Sequence, residues 1–186
     1  MVLQASNIYT AILYGALLCV QLLFSCNDIV SYNDLRDWKA IAAIFRENPE
    51  FLDVGDDDEF GLQDIHSKLI EKQYASRVIR TNEQTVGFVM YWFLELSGLR
   101  LPFKPVGMPG IVLFLGVAKK YQRKGYGEAL LLDAIAQLKK QPISYITLTT
   151  QKKNLRARAL YEKIGFHNIE HESDSLVSYT FMCTRQ

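Results

Sequence analysis

The segment from Ile111 to Lys139 constrains this chain more than any other. Ile111–Val117 is continuously apolar and β-branched at several positions, as a strand buried on both faces would be. Glu128–Lys139 sets Leu131, Leu132, Ile135 and Leu138 at helical spacing, which predicts an amphipathic helix. Between the two stands Gln122-Arg123-Lys124-Gly125-Tyr126-Gly127. Backbone N–H groups at a helix start lack intrahelical partners and lie at the positive end of the helix dipole, so they favour a phosphate. Gly125 and Gly127 let the main chain turn tightly and approach a ligand, and Arg123 and Lys124 add charge. The GxGxxG of a dinucleotide fold and the GxxxxGK[ST] of a P-loop are both absent. Taken alone, the loop reads rather as a glycine turn that closes a strand-to-helix connection.

The rest of the chain predicts an alternation of strands and helices. Leu35, Trp38, Ile41, Ala42 and Phe45 recur at helical steps behind Asn33 or Asp34 as N-cap, and Asn48-Pro49 ends that helix. Asp53 to Glu59 reads as a solvated acidic loop lacking the ligand spacing of a calcium site, and Leu62, Ile65, Leu69 and Ile70 as a second helix. Arg77–Arg80 and Thr85–Leu96 form a hairpin about Thr81–Gln84, and Ser97–Gly110 a loop. Tyr145–Thr150 is a strand, Asn154–Ile164 a helix stopped by Gly165, and Phe166–Ile169 and Val177–Cys183 two closing strands.

At 186 residues the chain is long enough for one well-filled core, and its net charge of +1 offers no global field for a polyanion, which argues against a dedicated nucleic-acid binder though not against a local patch. Cys19, Cys26 and Cys183 form no CxxC pair, and His66, His167 and His171 are scattered, so free thiols of a reducing compartment are expected and no metal. The N-terminus is less orderly. No charge precedes Asp28, and Ile8–Phe24 is largely apolar, near the length that crosses a bilayer. The missing basic start argues against a secretory signal or a lipoprotein site at Cys26. What remains is an apolar extension over residues 1–19 followed by a first strand near Val20–Cys26, a wrongly assigned start, or a membrane anchor through residues 8–24. In the last case Arg36 and Lys39 place the domain in the cytosol.

The loop reads [QR]xxGx[GA] after an apolar strand, and so resembles motif A of the GNAT superfamily of N-acetyltransferases. Asn154, Ala157, Ala159, Leu160-Tyr161-Glu162-Lys163, Ile164 and Gly165-Phe166 resemble that family's motif B, one helix and one strand downstream. The order βααβββαβαββ from Val20 to Cys183 is similar to the family's as well. The resemblance implies a single α/β (α+β) domain over residues 20–186, with a mixed, mostly antiparallel sheet whose strands Ile111–Val117 and Tyr145–Thr150 splay apart to hold acetyl-CoA. It implies that Gln122, Arg123, Lys124, Gly125, Tyr126 and Gly127 hold the CoA pyrophosphate. Leu115, Gly116 and Val117 would pair with the pantetheine arm, an N–H near Leu115 or Val117 polarising the thioester carbonyl, and Asn154 would touch the same arm. Asn154 is otherwise a helix N-cap.

Tyr161 matches the family tyrosine taken as general acid for the leaving thiolate, its alternative being an aromatic packing residue. The family's strand carboxylate is missing from Ile111–Val117, so the base falls to Glu95 at the end of the preceding strand or to a water relay, with His66 a remoter choice. The expected activity is cytoplasmic acetyl transfer from acetyl-CoA to a primary amine of a small molecule or a protein. The rival reading is a catalytically silent CoA-binding module. The Asp53–Glu59 stretch suits a cationic acceptor, the Ser97–Gly110 loop an apolar one or a peptide end. Whether the protein is a homodimer stays open.

Overall fold

In a computed structural model, residues 28–48, 58–93, 108–169 and 175–183 are described. The extension 1–19, the strand expected near Val20–Cys26, Asp53–Asp57, Glu95, and Cys19 and Cys26 all lie outside them. The first described strand, β1 (Asp28–Ser31), starts where the apolar run ends. It is short and half exposed, and its strand form comes from antiparallel pairing with β2 (Ala75–Thr81), Ile29 opposite Ile79.

Helix α1 (Asp34–Glu47) follows with Asn33 at the N-cap, as the spacing predicts. The cap works by a different contact, however. The Asn33 side chain makes no capping bond; its backbone N–H donates to Asp37 Oδ2 at 2.7 Å. Asp37 is fully buried and also takes the Arg80 guanidinium, with Nη2–Oδ2 at 2.8 Å, and the Thr85 hydroxyl at 2.5 Å. A buried carboxylate persists only with such complete pairing. Helix α2 runs Asp58–Ile70, so the acidic stretch expected as loop to Glu59 contributes its last two residues to a helix.

β2 and β3 (Gln84–Phe93) form a hairpin whose two connecting residues, Asn82 and Glu83, take φ of +49° and +65°. Two left-handed residues give a turn whose twist matches the strands. β4 (Pro109–Val117) pairs antiparallel with β3 and begins two residues earlier than predicted, inside the expected Ser97–Gly110 loop. Pro109 is tolerated there as the first residue of a strand. Then come α3 (Tyr126–Leu138), β5 (Tyr145–Gln151), α4 (Leu155–Ile164), β6 (His167–Ile169) and β7 (Leu176–Met182). Among the described residues the sheet has seven strands in the order β1-β2-β3-β4-β5-β7-β6, and all neighbours are antiparallel except β4 and β5.

Helices cover both faces. Ile41, Ile44 and Phe45 of α1 and Leu62, Ile65 and Leu69 of α2 pack on Val78, Phe88 and Met90. Leu130, Leu131, Ala134 and Leu138 of α3 fill the opposite face with Val89, Tyr91, Val112 and Ile146. Arg77 Nε to Asp133 Oδ2, 2.8 Å, ties β2 to α3. Burying an aliphatic side chain of this size contributes roughly 1.5–3 kcal/mol, so these two layers hold the sheet rigid beneath the site.

Candidate acyl-donor site

β4 and β5 pair in parallel over only three residues, Pro109–Ile111 with Tyr145–Thr147. Just beyond, β4 carries a bulge: Met90 faces Phe114 and Tyr91 faces Val112, which leaves Leu113 unpaired. A bulge bends its own strand, and here the bend comes where the two strands part. The gap opens into a cleft of about 810 Å³, walled by β4 and the start of α3 on one side and by the end of β5 and α4 on the other. Among the described residues, every predicted site residue lines it except Gly116, Lys124 and the remoter base candidate His66.

The exposed edge of β4 presents main-chain donors to the cleft. Ala118 N–H donates to Val86 O at 3.0 Å, which fixes the side on which β3 lies. Successive N–H groups of a strand point to opposite edges, so those of Val117 and Leu115 face the gap and that of Gly116 faces β3. Gly116 is a glycine for packing: a Cβ would come within 2.7 Å of Phe88 Cε1 and 2.9 Å of Ile44 Cγ2. The Val117 carbonyl already accepts the Gln122 side-chain amide at 3.0 Å. Gln122 thereby pins the loop to the strand, a role its motif position does not disclose.

At the loop, Arg123 and Gly125 both take left-handed backbone, φ +64° and +83°. Gly125 is the N-cap of α3 and supplies no side-chain cap; its carbonyl receives Ala129 N–H at 3.0 Å. The N–H groups of Tyr126, Gly127 and Glu128 precede the first intrahelical bond and point into the cleft mouth. A Cβ on Gly125 would meet nothing within 4 Å, and one on Gly127 would make only ordinary contact with Leu160 Cδ2 at 3.7 Å. Space is left free over these amides, which fits a bound phosphate. Lys124 is not part of the lining, and its ammonium lies 5.2 Å from the Tyr121 ring centre.

On the facing wall, Asn154 Oδ1 caps α4 by accepting Ala157 N–H at 3.1 Å. The capping expectation is therefore met, and the amide Nδ2 is left as a donor beside the cleft. Tyr161 is buried to 8% exposure and packs against Phe166 and Tyr179. Among the described residues its hydroxyl has no hydrogen-bond partner, yet Thr180 Oγ1 is the buried side-chain atom left unpaired, so the Tyr161 hydroxyl opens on the cleft. Burial pushes its pKa up to about 12, with Tyr179 adding to the rise.

The one carboxylate among the described lining residues is Glu128, and it holds Lys163 Nζ at 2.6 Å. His66 lies elsewhere: it stacks on Trp38 with ring centres 4.0 Å apart and its Nε2 meets Asp34 Oδ1 at 2.6 Å. The cleft lining does not include it. No grouping of side chains suited to a metal occurs among the described residues. No helix among them is long and apolar enough to cross a membrane. Arg156, in the first turn of α4, also lines the cleft and carried no separate signal in the sequence.

Residues 33–166 match the family model described as "Acetyltransferase (GNAT) family". The chain is similar to a mycothiol acetyltransferase of Renibacterium salmoninarum, 30% identical over 163 residues, which is 83% of this chain and 43% of that one. It is also similar to the ribosomal protein bS18-alanine N-acetyltransferase of Escherichia coli, 40% identical over 53 residues, 28% of this chain and 36% of that one. The chain thus spans less than half the length of these two curated relatives. Among solved structures, the PaiA N-acetyltransferase of Thermoplasma acidophilum in complex with coenzyme A superposes with a TM-score of 0.66. That likeness covers 84% of this chain and 98% of the other at 16% identity, and it is one of fold.

Proposed function

The chain belongs to the acetyltransferase (GNAT) family, and from that membership we propose that it moves an acetyl group from acetyl-CoA to a primary amine. The observation that carries this reading is the cleft between β4 and β5, where the free amides at the start of α3 and the outward N–H groups of Leu115 and Val117 face one space. Acetyl-CoA supplies the activated acyl group as a thioester. The N–H groups of Tyr126, Gly127 and Glu128, with Arg123, hold its pyrophosphate. Leu115 and Val117 donate along the pantetheine arm, and one of them steadies negative charge on the carbonyl oxygen as the amine attacks.

Tyr161 serves the departing sulfur. Burial holds the Tyr161 phenol well above its ordinary value, which disfavours release of its proton. Tyr161 therefore stabilises the thiolate as a hydrogen-bond donor and keeps its proton. The amine must lose a proton to expose its lone pair. With Glu128 tied to Lys163, the described lining carries no free carboxylate, and water takes that proton. Glu95, outside the described residues, is the alternative acceptor.

The acceptor is a small-molecule or protein amine. The relatives named for mycothiol and for the alanine of a ribosomal protein stand on both sides of that choice. On this reading the reaction is cytosolic, where acetyl-CoA is available. The test is thiol release from acetyl-CoA against a panel of polyamines, aminoglycosides, cysteine-containing amines and peptides with free N-termini. Release with at least one amine supports the reading. Acetyl-CoA binding with no release from any amine supports the silent CoA-binding module instead.

A further inference from the structure

Seven arginines lie among the described residues, and they divide sharply by partner. Arg36 pairs with Glu83, Arg77 with Asp133, and Arg80 with Asp37. Arg158 donates to the Tyr179 hydroxyl and the Lys152 carbonyl, and Arg46 has an interaction as well. Arg123 and Arg156 have neither a hydrogen bond nor an ion pair to any described residue, and these two line the same cleft. The other cation in that lining, Lys163, is neutralised by Glu128. The unmatched positive charge of the cleft is therefore two guanidinium groups, one on each wall.

The two are not equivalent. Arg123 sits in the glycine loop at φ +64°, two residues before the N-cap of α3. Arg156 belongs to the opposite wall, in the first turn of α4. Asn154 already caps that helix through Ala157 N–H, so Arg156 is not needed to finish the helix end. Its chain is exposed, and so is the Lys152-Lys153 turn that leads into α4. A planar guanidinium with no acid partner, aimed into a cleft, suits a dianionic phosphate in bidentate fashion.

Coenzyme A carries two separate phosphate groups, a pyrophosphate and a 3′-phosphate on its ribose. The loop amides and Arg123 answer the first. Resting on the acyl-donor reading above, we infer that Arg156 binds the 3′-phosphate and makes the protein select 3′-phosphorylated CoA over its dephospho form. This gives the site a specificity determinant separate from the glycine loop.

Calorimetric titration of the full chain with CoA and with 3′-dephospho-CoA tests this without any acceptor. The wild-type protein should bind CoA more tightly by about 10-fold or more, the scale of a hydrogen bond between charged groups. Arg156→Gln should bring the ratio close to one while leaving affinity for dephospho-CoA unchanged, and Arg156→Lys should fall between. Arg123→Gln should weaken both ligands by the same factor and preserve the ratio. A wild-type ratio near one, or a ratio that survives Arg156→Gln, overturns the assignment of Arg156 alone. Failure of the wild-type protein to bind either nucleotide overturns the donor site itself and this inference with it.

Discussion

The ring of Tyr179 meets that of Tyr161 edge-on, centres 5.6 Å apart and planes at 65°. Tyr179 is fully buried, and its hydroxyl is gripped from both sides: it donates to Glu162 Oε1 at 2.8 Å and accepts from Arg158 Nε at 3.1 Å. Both grips come from α4, the helix that carries Tyr161. The wall of the cleft is thus braced against β7, and the Tyr161 hydroxyl is the free end of a fixed aromatic stack. Packing and function coincide in this residue.

Replacing Tyr161 by Phe removes that hydroxyl and keeps the stack. Because the phenol acts by donating a hydrogen bond to the departing thiolate, kcat should fall by roughly 10- to 100-fold, the worth of a hydrogen bond to a charged group. The KM for acetyl-CoA should stay within a factor of about two. Steady-state kinetics with acetyl-CoA varied check both. An unchanged kcat would remove Tyr161 from the chemistry.

The pH dependence follows from the same hydroxyl and from the amine. With water as the proton acceptor, kcat/KM for the amine should climb one log unit per pH unit until the amine itself titrates, near about 10.4 for a lysine-like amine. Tyr161, raised to about 12 by burial, is protonated throughout that range, so ionisation of Tyr161 should bring no alkaline fall below about pH 11. A plateau beginning near neutral pH would instead reveal a protein base, with Glu95→Gln the variant to examine.

Gly125 and Gly127 should part company under substitution. Gly125 sits at φ +83°, so Gly125→Ala should cost about 1–2 kcal/mol in backbone strain although its Cβ meets nothing. Gly125→Asp should cost about the same in stability and also weaken acetyl-CoA by more than about 10-fold, because a carboxylate then faces the phosphate. Gly127 has no such backbone constraint, and Gly127→Ala should stabilise the helix by up to about 1 kcal/mol while affinity holds. Urea unfolding and acetyl-CoA titration of the three variants read these signs.

Asp37→Ala strips the partly buried Arg80 guanidinium and the Thr85 hydroxyl of their acceptor and removes the bond that closes the start of α1. Breaking a buried pair from one side costs about 3–5 kcal/mol. Denaturant midpoints should show a loss of that order. Arg36→Ala, which breaks a more exposed pair with Glu83, should change stability by less than about 1 kcal/mol.

Much of this was legible in the sequence because local rules and global fold agree. The helices over Asp34–Glu47, Tyr126–Leu138 and Leu155–Ile164 follow from apolar spacing, and the Asn82-Glu83 turn follows from the polar break between two β-rich runs. What escaped was set by contacts between distant segments. β1 has too few apolar residues to announce itself and becomes a strand by pairing with β2. The bulge at Leu113 has no local signature, yet it lies where the cleft opens. Gln122 was legible as a motif residue, but its bond to the Val117 carbonyl was not, and Tyr179 shows its grip on Glu162 and Arg158 only when α4 lies against β7. The acceptor side carries no periodic signal to read.

The central claim is that the gap between β4 and β5 receives the acyl donor. Amide hydrogen exchange with and without acetyl-CoA tests it most directly. Added acetyl-CoA should slow exchange at Leu115 and Val117 and at residues 126–128, and leave the Asn82-Glu83 turn unchanged. Saturating acetyl-CoA that slows neither segment, or protects only residues away from the cleft, would contradict it.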